Sequence, residues 1–213
     1  MKPEENSYVF SNNWFGQVAE KTWNDLFPKI KPERILEVGS FEGRSTCWMI
    51  QNMSRTRNAE IHCVDTWEGG AEHQAGSENA ADMKAVETRF HHNTEIALKR
   101  LTPRPTLYVH KGASDTELPK VVLTGRKSFF DFIYIDGSHE SADTLFDALL
   151  CFKMLRIGGV MAFDDYLWTN PSSSNNILSE PKYGIDCFVN CHRDKLRVLQ
   201  APLYQLFVQK FSE

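Results

Sequence analysis

The sequence predicts an α/β fold in which a mostly parallel sheet is covered by helices on both faces and ends in an antiparallel C-terminal hairpin. Three observations predict it. Short runs of branched and aromatic residues alternate with helix-like stretches along most of the chain, as crossover units require. Several of those runs are apolar almost throughout, which suits strands buried on both faces. The chain then closes on "KLRVLQAPLYQLFVQK", two alternating runs broken at Ala201-Pro202, which reads as a hairpin added to the sheet edge.

From Trp14 to Phe27 the residues Trp14, Phe15, Val18, Thr22, Trp23, Leu26 and Phe27 recur at helical spacing, and Pro28 is expected to end that helix. Strands are expected at "RILEVG" (34–39), "EIHCVD" (60–65), "TLYVHK" (106–111), "FFDFIYID" (129–136) and "GVMAFD" (159–164). The stretches 43–54, about 79–101, 114–124 and 139–155 read as the helices between them, and a last helix is expected over about 182–192. The patch "NPSSSNN" (170–176) reads as a flexible loop.

A chain of 213 residues, 41% hydrophobic and 24% charged, suits one domain with one sizeable core. Residues 1–30 read as a helical extension and 31–213 as the core of that domain. The formal charge of −4, with basic residues dispersed, offers no footprint for a nucleic-acid backbone. Five cysteines form no CxxC pair and sit mostly in apolar segments, which fits a reducing cytosol. There is no apolar signal-peptide core and no run of eighteen apolar residues, so the expectation is a soluble, cytoplasmic protein without a membrane partner.

In open α/β sheets, ligands gather outside the carboxyl ends of the strands, and the conspicuous polar groups fall there. The first strand runs into "EVGSFEGRST", where Gly39 and Gly43 allow a tight turn and Arg44, Ser45 and Thr46 open a helix whose free N–H groups favour an anion. The nicotinamide fingerprint fails, because Phe41 and Arg44 stand where glycines would be needed. Asp65 ends the second strand, placed to take both ribose hydroxyls of a nucleoside, and Trp67 follows as a cover for a base. "KGASD" (111–115) is a small-residue turn able to pass close to a base edge, and Asp136, Asp164 and Asp165 end the fourth and fifth strands.

Together, "ILEVGSFEGRST", "CVDTW", "KGASD", "YIDGSH" and "GGVMAFDDYLW" resemble the class I S-adenosylmethionine-dependent methyltransferases over roughly residues 30 to 210, and within them the metal-dependent O-methyltransferases of the catechol and antibiotic-sugar types. The resemblance implies a Rossmann-like, seven-stranded fold. It implies that Glu37, Gly39, Ser40, Phe41, Gly43, Ser45, Asp65, Thr66, Trp67, Gly112, Ala113, Ser114 and Asp136 surround the cofactor, with Ser45 at its carboxylate and Trp67 and Ser114 at its adenine. It also implies that Asp136, Asp164 and Asp165 hold a divalent cation. Three converging carboxylates repel unless a cation lies between them, and oxygen ligands alone suit Mg²⁺, with Mn²⁺ or Ca²⁺ as alternatives. His139, three residues after Asp136, falls where the catechol-type enzymes place a catalytic lysine, and an unperturbed pKa near 6.5 suits a general base. The sugar branch often has an acid two residues after the first metal aspartate; this chain has Ser138.

Several readings stay open at this level. Asp165 either joins the metal set or points into its loop, and His139 is either the base or a cap of the following helix. His91 and His92 read as solvated, Cys187 and Cys191 as one packed helix face, and Trp14 and Trp23 as core or subunit contact rather than substrate site. Segments 68–83 and 166–184 are expected to cover the carboxyl edge, with Tyr166, Trp168 and Tyr183 suiting sugar rings. The chain also resembles methyltransferase modules beside or fused to glycosyltransferases, including those of large algal viruses, which implies a glycan deoxyhexose such as rhamnose as acceptor. A small catechol-like metabolite or a metal-independent reaction is the alternative. The sequence sets no oligomeric state. A dinucleotide oxidoreductase would need the missing fingerprint, and a non-catalytic cofactor-binding module would have no use for the three aspartates.

Overall fold

Along each central strand, successive side chains enter two different cores, as the period of 2 dictates. In the computed structural model, which describes residues 7–70, 80–169 and 176–213, Phe132 and Tyr134 pack into one core with Ile35 and Val160, while Ile133 and Ile135 pack into the other with Leu36 and Met161. Burial on both faces is why these segments read as unbroken apolar runs.

The strands are β1 (Arg34–Val38), β2 (Glu60–Asp65), β3 (Thr106–Lys111), β4 (Phe130–Ile135), β5 (Leu155–Phe163), β6 (Leu196–Leu199) and β7 (Leu206–Lys210). The helices are α1 (Trp14–Val18), α2 (Glu20–Ile30), α3 (Arg44–Asn52), α4 (Met83–Lys99), α5 (Ser114–Leu123), α6 (Ser141–Met154) and α7 (Pro181–Cys191), with a 3₁₀ turn at Ile177–Ser179. One seven-stranded sheet runs in the order β3-β2-β1-β4-β5-β7-β6. The first five strands are parallel, and β7 lies antiparallel to both β5 and β6. The α/β fold with its C-terminal antiparallel pair is as expected, and the last strand inserts between β5 and β6. The order reverses between β1 and β4, the place where such sheets open a crevice. Trp23 and Phe27 of α2 pack on one face with α3 and α4; α5, α6 and α7 cover the other.

Three boundaries differ from the sequence reading. The N-terminal helix is two helices that break at Ala19, and α2 carries Pro28 through to Ile30. Proline in the last turn costs only one backbone bond, and left-handed Lys31 (φ 45°) then ends the helix. β5 starts at Leu155, directly after α6, and its pairing with β4 shifts register between Phe130 and Phe132. Gly158 (φ +83°) lies in that irregular stretch, which hid the strand's first half. The loop "NPSSSNN" and most of the covering segment 68–83 lie largely outside the described residues.

An N-terminal strap is fastened over α3 and α4 by backbone-directed polar contacts. Asn93 accepts from Val9 N (2.8 Å) and donates to Val9 O (2.9 Å), Glu42 accepts from Ser11 N (2.6 Å), and Arg44 donates to Asn12 O (2.5 Å). These bonds set where α1 begins, and hence where Trp14 and Phe15 face.

Candidate active site at the carboxyl edge

The turn after β1 is built around Gly39. Its φ is +84°, and a Cβ there would lie 1.9 Å from the Asp136 carbonyl oxygen, so only glycine lets β1 and β4 end this close together. Asp65 then ties the turn to β2: its carboxylate accepts from the backbone N–H groups of Ser40 (2.8 Å), Phe41 (2.9 Å) and Trp67 (2.7 Å). Below the turn, Glu37 is fully buried and accepts from Ser40 Oγ (2.7 Å), Ser45 Oγ (2.5 Å) and the Thr46 hydroxyl. Burial raises the Glu37 pKa and these bonds oppose the rise.

A cavity of about 380 Å³ adjoins this turn, lined by Gly39, Phe41, Asp65, Thr66, Gly112, Ala113, Ser114 and by Asp136 to Glu140. A second, of about 360 Å³, adjoins it and is lined by Trp14, Phe15, Ser40, Arg44, Ser45, Tyr134, Asp164, Asp165 and Tyr204. The two share Phe41, Asp136, Gly137, His139 and Trp168.

The carboxylates Asp136, Asp164 and Asp165 converge, with one oxygen of each lying within 4.8 Å of the others; Asp136 lines both cavities and the other two line the second alone. Two outer groups aim them. Tyr134 donates to Asp136 (2.9 Å), and Gln205, itself held by the Trp23 indole N–H (2.8 Å), donates to Asp164 (2.8 Å). Burial, followed by the neighbouring carboxylates, pushes the pKa of both Asp136 and Asp164 upward. Asp165 has a left-handed backbone (φ 53°) that turns its side chain back from the loop, and its Oδ2 lies 2.9 Å from His139 Nε2. The Trp168 ring lies 4.2 Å from the His139 ring, so the histidine is held between an acid and an indole.

The structure brings together most of the expected site residues but moves five of them. Trp67, expected to cover an adenine face, is 4% exposed and lines neither cavity. Its positive φ (51°) folds the indole beneath the β1 turn, where Nε1 donates to Phe41 O (2.9 Å) and the ring packs on Phe90. Glu37 likewise lines neither cavity and supports the turn from below. Ser40 and Ser45 line the second cavity rather than the first, and both hydroxyls are committed to Glu37. Gly43 lines neither cavity; it stands just before α3 with φ +77°. Trp14, read as core or subunit contact, is 47% exposed on the second cavity, whereas Trp23 is fully buried core. Of the loop aromatics, Trp168 reaches the site; Tyr166 bonds Asp186 (2.8 Å), and Tyr183 lines neither cavity. Sequence reasoning missed Tyr134, Gln205, Tyr204 and Asp147, since strand interiors and distant loops carry no local signal of where they meet.

Asp65→Ala is expected to weaken binding of an adenosine-containing cofactor more than tenfold, about 1.4 kcal/mol or more. The same change frees three backbone donors, so it is also expected to lower thermal stability. Calorimetry beside thermal melts checks both, and an unchanged dissociation constant would remove Asp65 from the ribose contact.

Asp147 on α6 also lines the first cavity. It is 1% exposed, and burial pushes its pKa up to about 7 against an opposing bond from Ser114. The folded carboxyl therefore keeps its proton to about pH 7, while an unfolded one releases it near 4. Stability from this group is full below about pH 4 and is lost as pH rises toward 7. Asp147→Asn is accordingly expected to gain on the wild type between pH 5 and pH 8, reaching about 2–4 kcal/mol. Denaturant titrations at the two pH values check it, and parallel curves would refute it.

Comparison with known proteins identifies the family and the fold. Residues 36–166 match the model of a methyltransferase domain. A probable caffeoyl-CoA O-methyltransferase 3 of Dictyostelium discoideum is 32% identical over 74 residues, 35% of this chain and 28% of that protein. An uncharacterized protein of Acanthamoeba polyphaga mimivirus is 25% identical over 133 residues, 62% of this chain and 50% of that one. The chain thus aligns with half or less of these relatives' own lengths. Among solved structures, the O-methyltransferase TomG of Streptomyces achromogenes, in complex with S-adenosylmethionine, superposes with a TM-score of 0.62 at 16% identity, covering 90% of this chain and 79% of that one. An O-methyltransferase of Bacillus cereus with bound S-adenosylhomocysteine gives 0.59 at 20% identity, covering 89% and 80%. At such identities the likeness establishes the fold.

Proposed function

The chain belongs to the methyltransferase-domain family, and from that premise we propose that it transfers a methyl group from S-adenosylmethionine to a sugar hydroxyl, with a deoxyhexose of a glycan as first candidate, aided by a divalent cation. The observation that carries this reading is the pair of adjoining cavities with Asp136, Gly137, His139 and Trp168 on their common rim. One cavity suits a nucleoside and the other an acceptor, so the reacting atoms meet at the rim.

Each residue has a definite task in this reading. Asp65 takes the ribose hydroxyls, and the small side chains of Gly112 to Ser114 admit the base. Asp136, Asp164 and Asp165 fit a hard cation: they are three converging oxygen donors, and two of them are oriented by Tyr134 and Gln205. A cation held there would acidify and orient a bound hydroxyl. S-adenosylmethionine supplies an electrophilic methyl group on a sulfonium sulfur. His139, oriented by Asp165, would take the proton that the acceptor hydroxyl releases as its oxygen bonds to the methyl carbon and the carbon–sulfur bond breaks, leaving S-adenosylhomocysteine. Trp14, Phe15, Tyr204 and Trp168 offer the acceptor apolar faces that suit the C–H surface of a sugar ring.

The same ring-lined wall also favours a second reading, a catechol-like phenolic acceptor. Incubation with S-adenosylmethionine and a panel of rhamnose-bearing glycans and catechols separates the two. Methylated sugar with matching S-adenosylhomocysteine supports the first reading; methylation of catechols alone replaces it with the second. A chain that methylates neither class would refute both acceptor assignments. Among the described residues no helix is long and apolar enough to cross a membrane. The cytosol is proposed as the compartment, and attachment to a larger glycosyltransferase polypeptide as the context.

A further inference from the structure

Asp165 and Trp168, the two neighbours that hold His139, belong to one tight turn. Trp168 N donates to Asp165 O (2.9 Å), which closes the turn over Tyr166 and Leu167. Asp165 sits at φ 53°, a left-handed backbone that residues other than glycine adopt at a cost. Such a conformation persists where the surroundings impose it. On the upstream side the hold is the sheet itself: Asp164 N donates to Ile135 O (2.9 Å), where the pairing of β4 with β5 ends. On the downstream side it begins at Tyr166.

Tyr166 is fastened in three ways. Its N–H donates to Tyr204 O (3.1 Å), its half-buried ring packs against the core that α5, α6 and α7 cover, and its hydroxyl donates to Asp186 Oδ1 (2.8 Å) on α7. Lys182, one turn earlier on α7, donates to that hydroxyl (3.0 Å) and to Asp186 Oδ2 (2.5 Å), and its ammonium lies 4.6 Å from the centre of the ring. The hydroxyl thus donates to one partner and accepts from another, which fixes its direction. Lys182 and Asp186 are 43% and 40% exposed, and exposed ion pairs contribute little to stability. The clasp therefore adds direction more than strength. Tyr166, Lys182 and Asp186 line neither cavity, so they reach the chemistry through the turn alone.

We propose that Tyr166 is a positioning residue: clasped by Asp186 and Lys182, it holds Asp165 in the left-handed conformation that turns its carboxylate to His139. The inference rests on the reading of His139 and Asp165 as the pair that takes the acceptor's proton. An ionised carboxylate only accepts, so Asp165 places the imidazole proton on Nε2 and makes Nδ1 the basic nitrogen. Loosening the clasp lets the other tautomer mix in.

The test is imidazole nitrogen NMR on the whole chain at pH 8 without metal, beside rates of methyl transfer to rhamnose-bearing glycan or catechol, whichever is the better acceptor. The wild type should show His139 protonated on Nε2. Tyr166→Phe, which keeps the ring and loses the hydroxyl, should show both tautomers, lower kcat about fivefold and leave the KM for S-adenosylmethionine within about twofold. Asp186→Ala, a change at an exposed position that the fold tolerates, should do the same, and Asp186→Asn, which keeps an acceptor oxygen, should restore both readouts. In an Asp165→Asn background, Tyr166→Phe should cost nothing further. A wild-type tautomer and kcat in Tyr166→Phe and Asp186→Ala overturn the proposal, and so does a loss in Tyr166→Phe that is as large without the Asp165 carboxylate as with it. A wild type that carries the Nε2 proton but transfers no methyl group overturns the catalytic reading of the pair and leaves the placement of Asp165 by Tyr166 standing.

Discussion

Asp164→Asn is expected to reduce methyl transfer about a thousandfold or more while S-adenosylhomocysteine binding stays within about threefold of wild type. Asp164 lines the acceptor cavity and not the cofactor cavity, so its loss should leave cofactor affinity alone. The change removes one of three converging oxygens and replaces it with a weaker neutral ligand. Gln205 donates to Asp164 Oδ1, and the asparagine oxygen can accept that same bond, so the variant keeps its orientation and loses only the charge. EDTA should mimic the substitution and Mg²⁺ should restore the wild type but not the variant. Full turnover in chelator would remove the cation from the account and leave a metal-independent transfer. The variant should also be no less stable than wild type in the absence of metal, because one of three mutually repelling carboxylates is gone.

His139→Ala is expected to lower the transfer rate by about 10² to 10⁴ with cofactor affinity intact. His139 lies on the rim common to both cavities, its Nε2 is 2.9 Å from Asp165 Oδ2, and Trp168 packs against its ring. That arrangement resembles the base-and-orienter pairs that acid–base catalysis uses. Asp165→Asn should then reproduce part of the His139→Ala loss, since it frees the imidazole to rotate. A double variant should be little worse than His139→Ala alone, because residues acting as a unit are not additive. A His139→Ala protein that retains near-normal rates would make the histidine a support for Trp168 and pass proton removal to another group.

Much of the fold was legible because each central strand is buried on both faces, so its run of branched and aromatic residues stands out without any knowledge of its partners. The same reasoning located Asp65, Asp136, Asp164 and Asp165, since strand ends fall where the apolar run stops. Prolines and glycines misled where tertiary context overrode them: Pro28 ends nothing because α2 packs through it, and Gly158 hides a strand that bulges. Trp67 was misjudged from position alone. A residue just past a strand end usually faces solvent, but a positive φ sends this indole inward. Trp14 is not core, because the strap held by Asn93, Glu42 and Arg44 fixes its placement from far along the chain. Asp147 offered no pattern of its own, being one of several polar residues, with Ser141 and Thr144, on the buried face of α6.

The central claim is that the crevice between β1 and β4 holds S-adenosylmethionine, and titration of the wild-type chain with S-adenosylhomocysteine tests it most directly. The account predicts one site per chain, binding that Asp65→Ala weakens more than tenfold, and no heat from NAD under the same conditions. Saturable binding of NAD with none of S-adenosylhomocysteine would contradict it and return the crevice to the dinucleotide oxidoreductases.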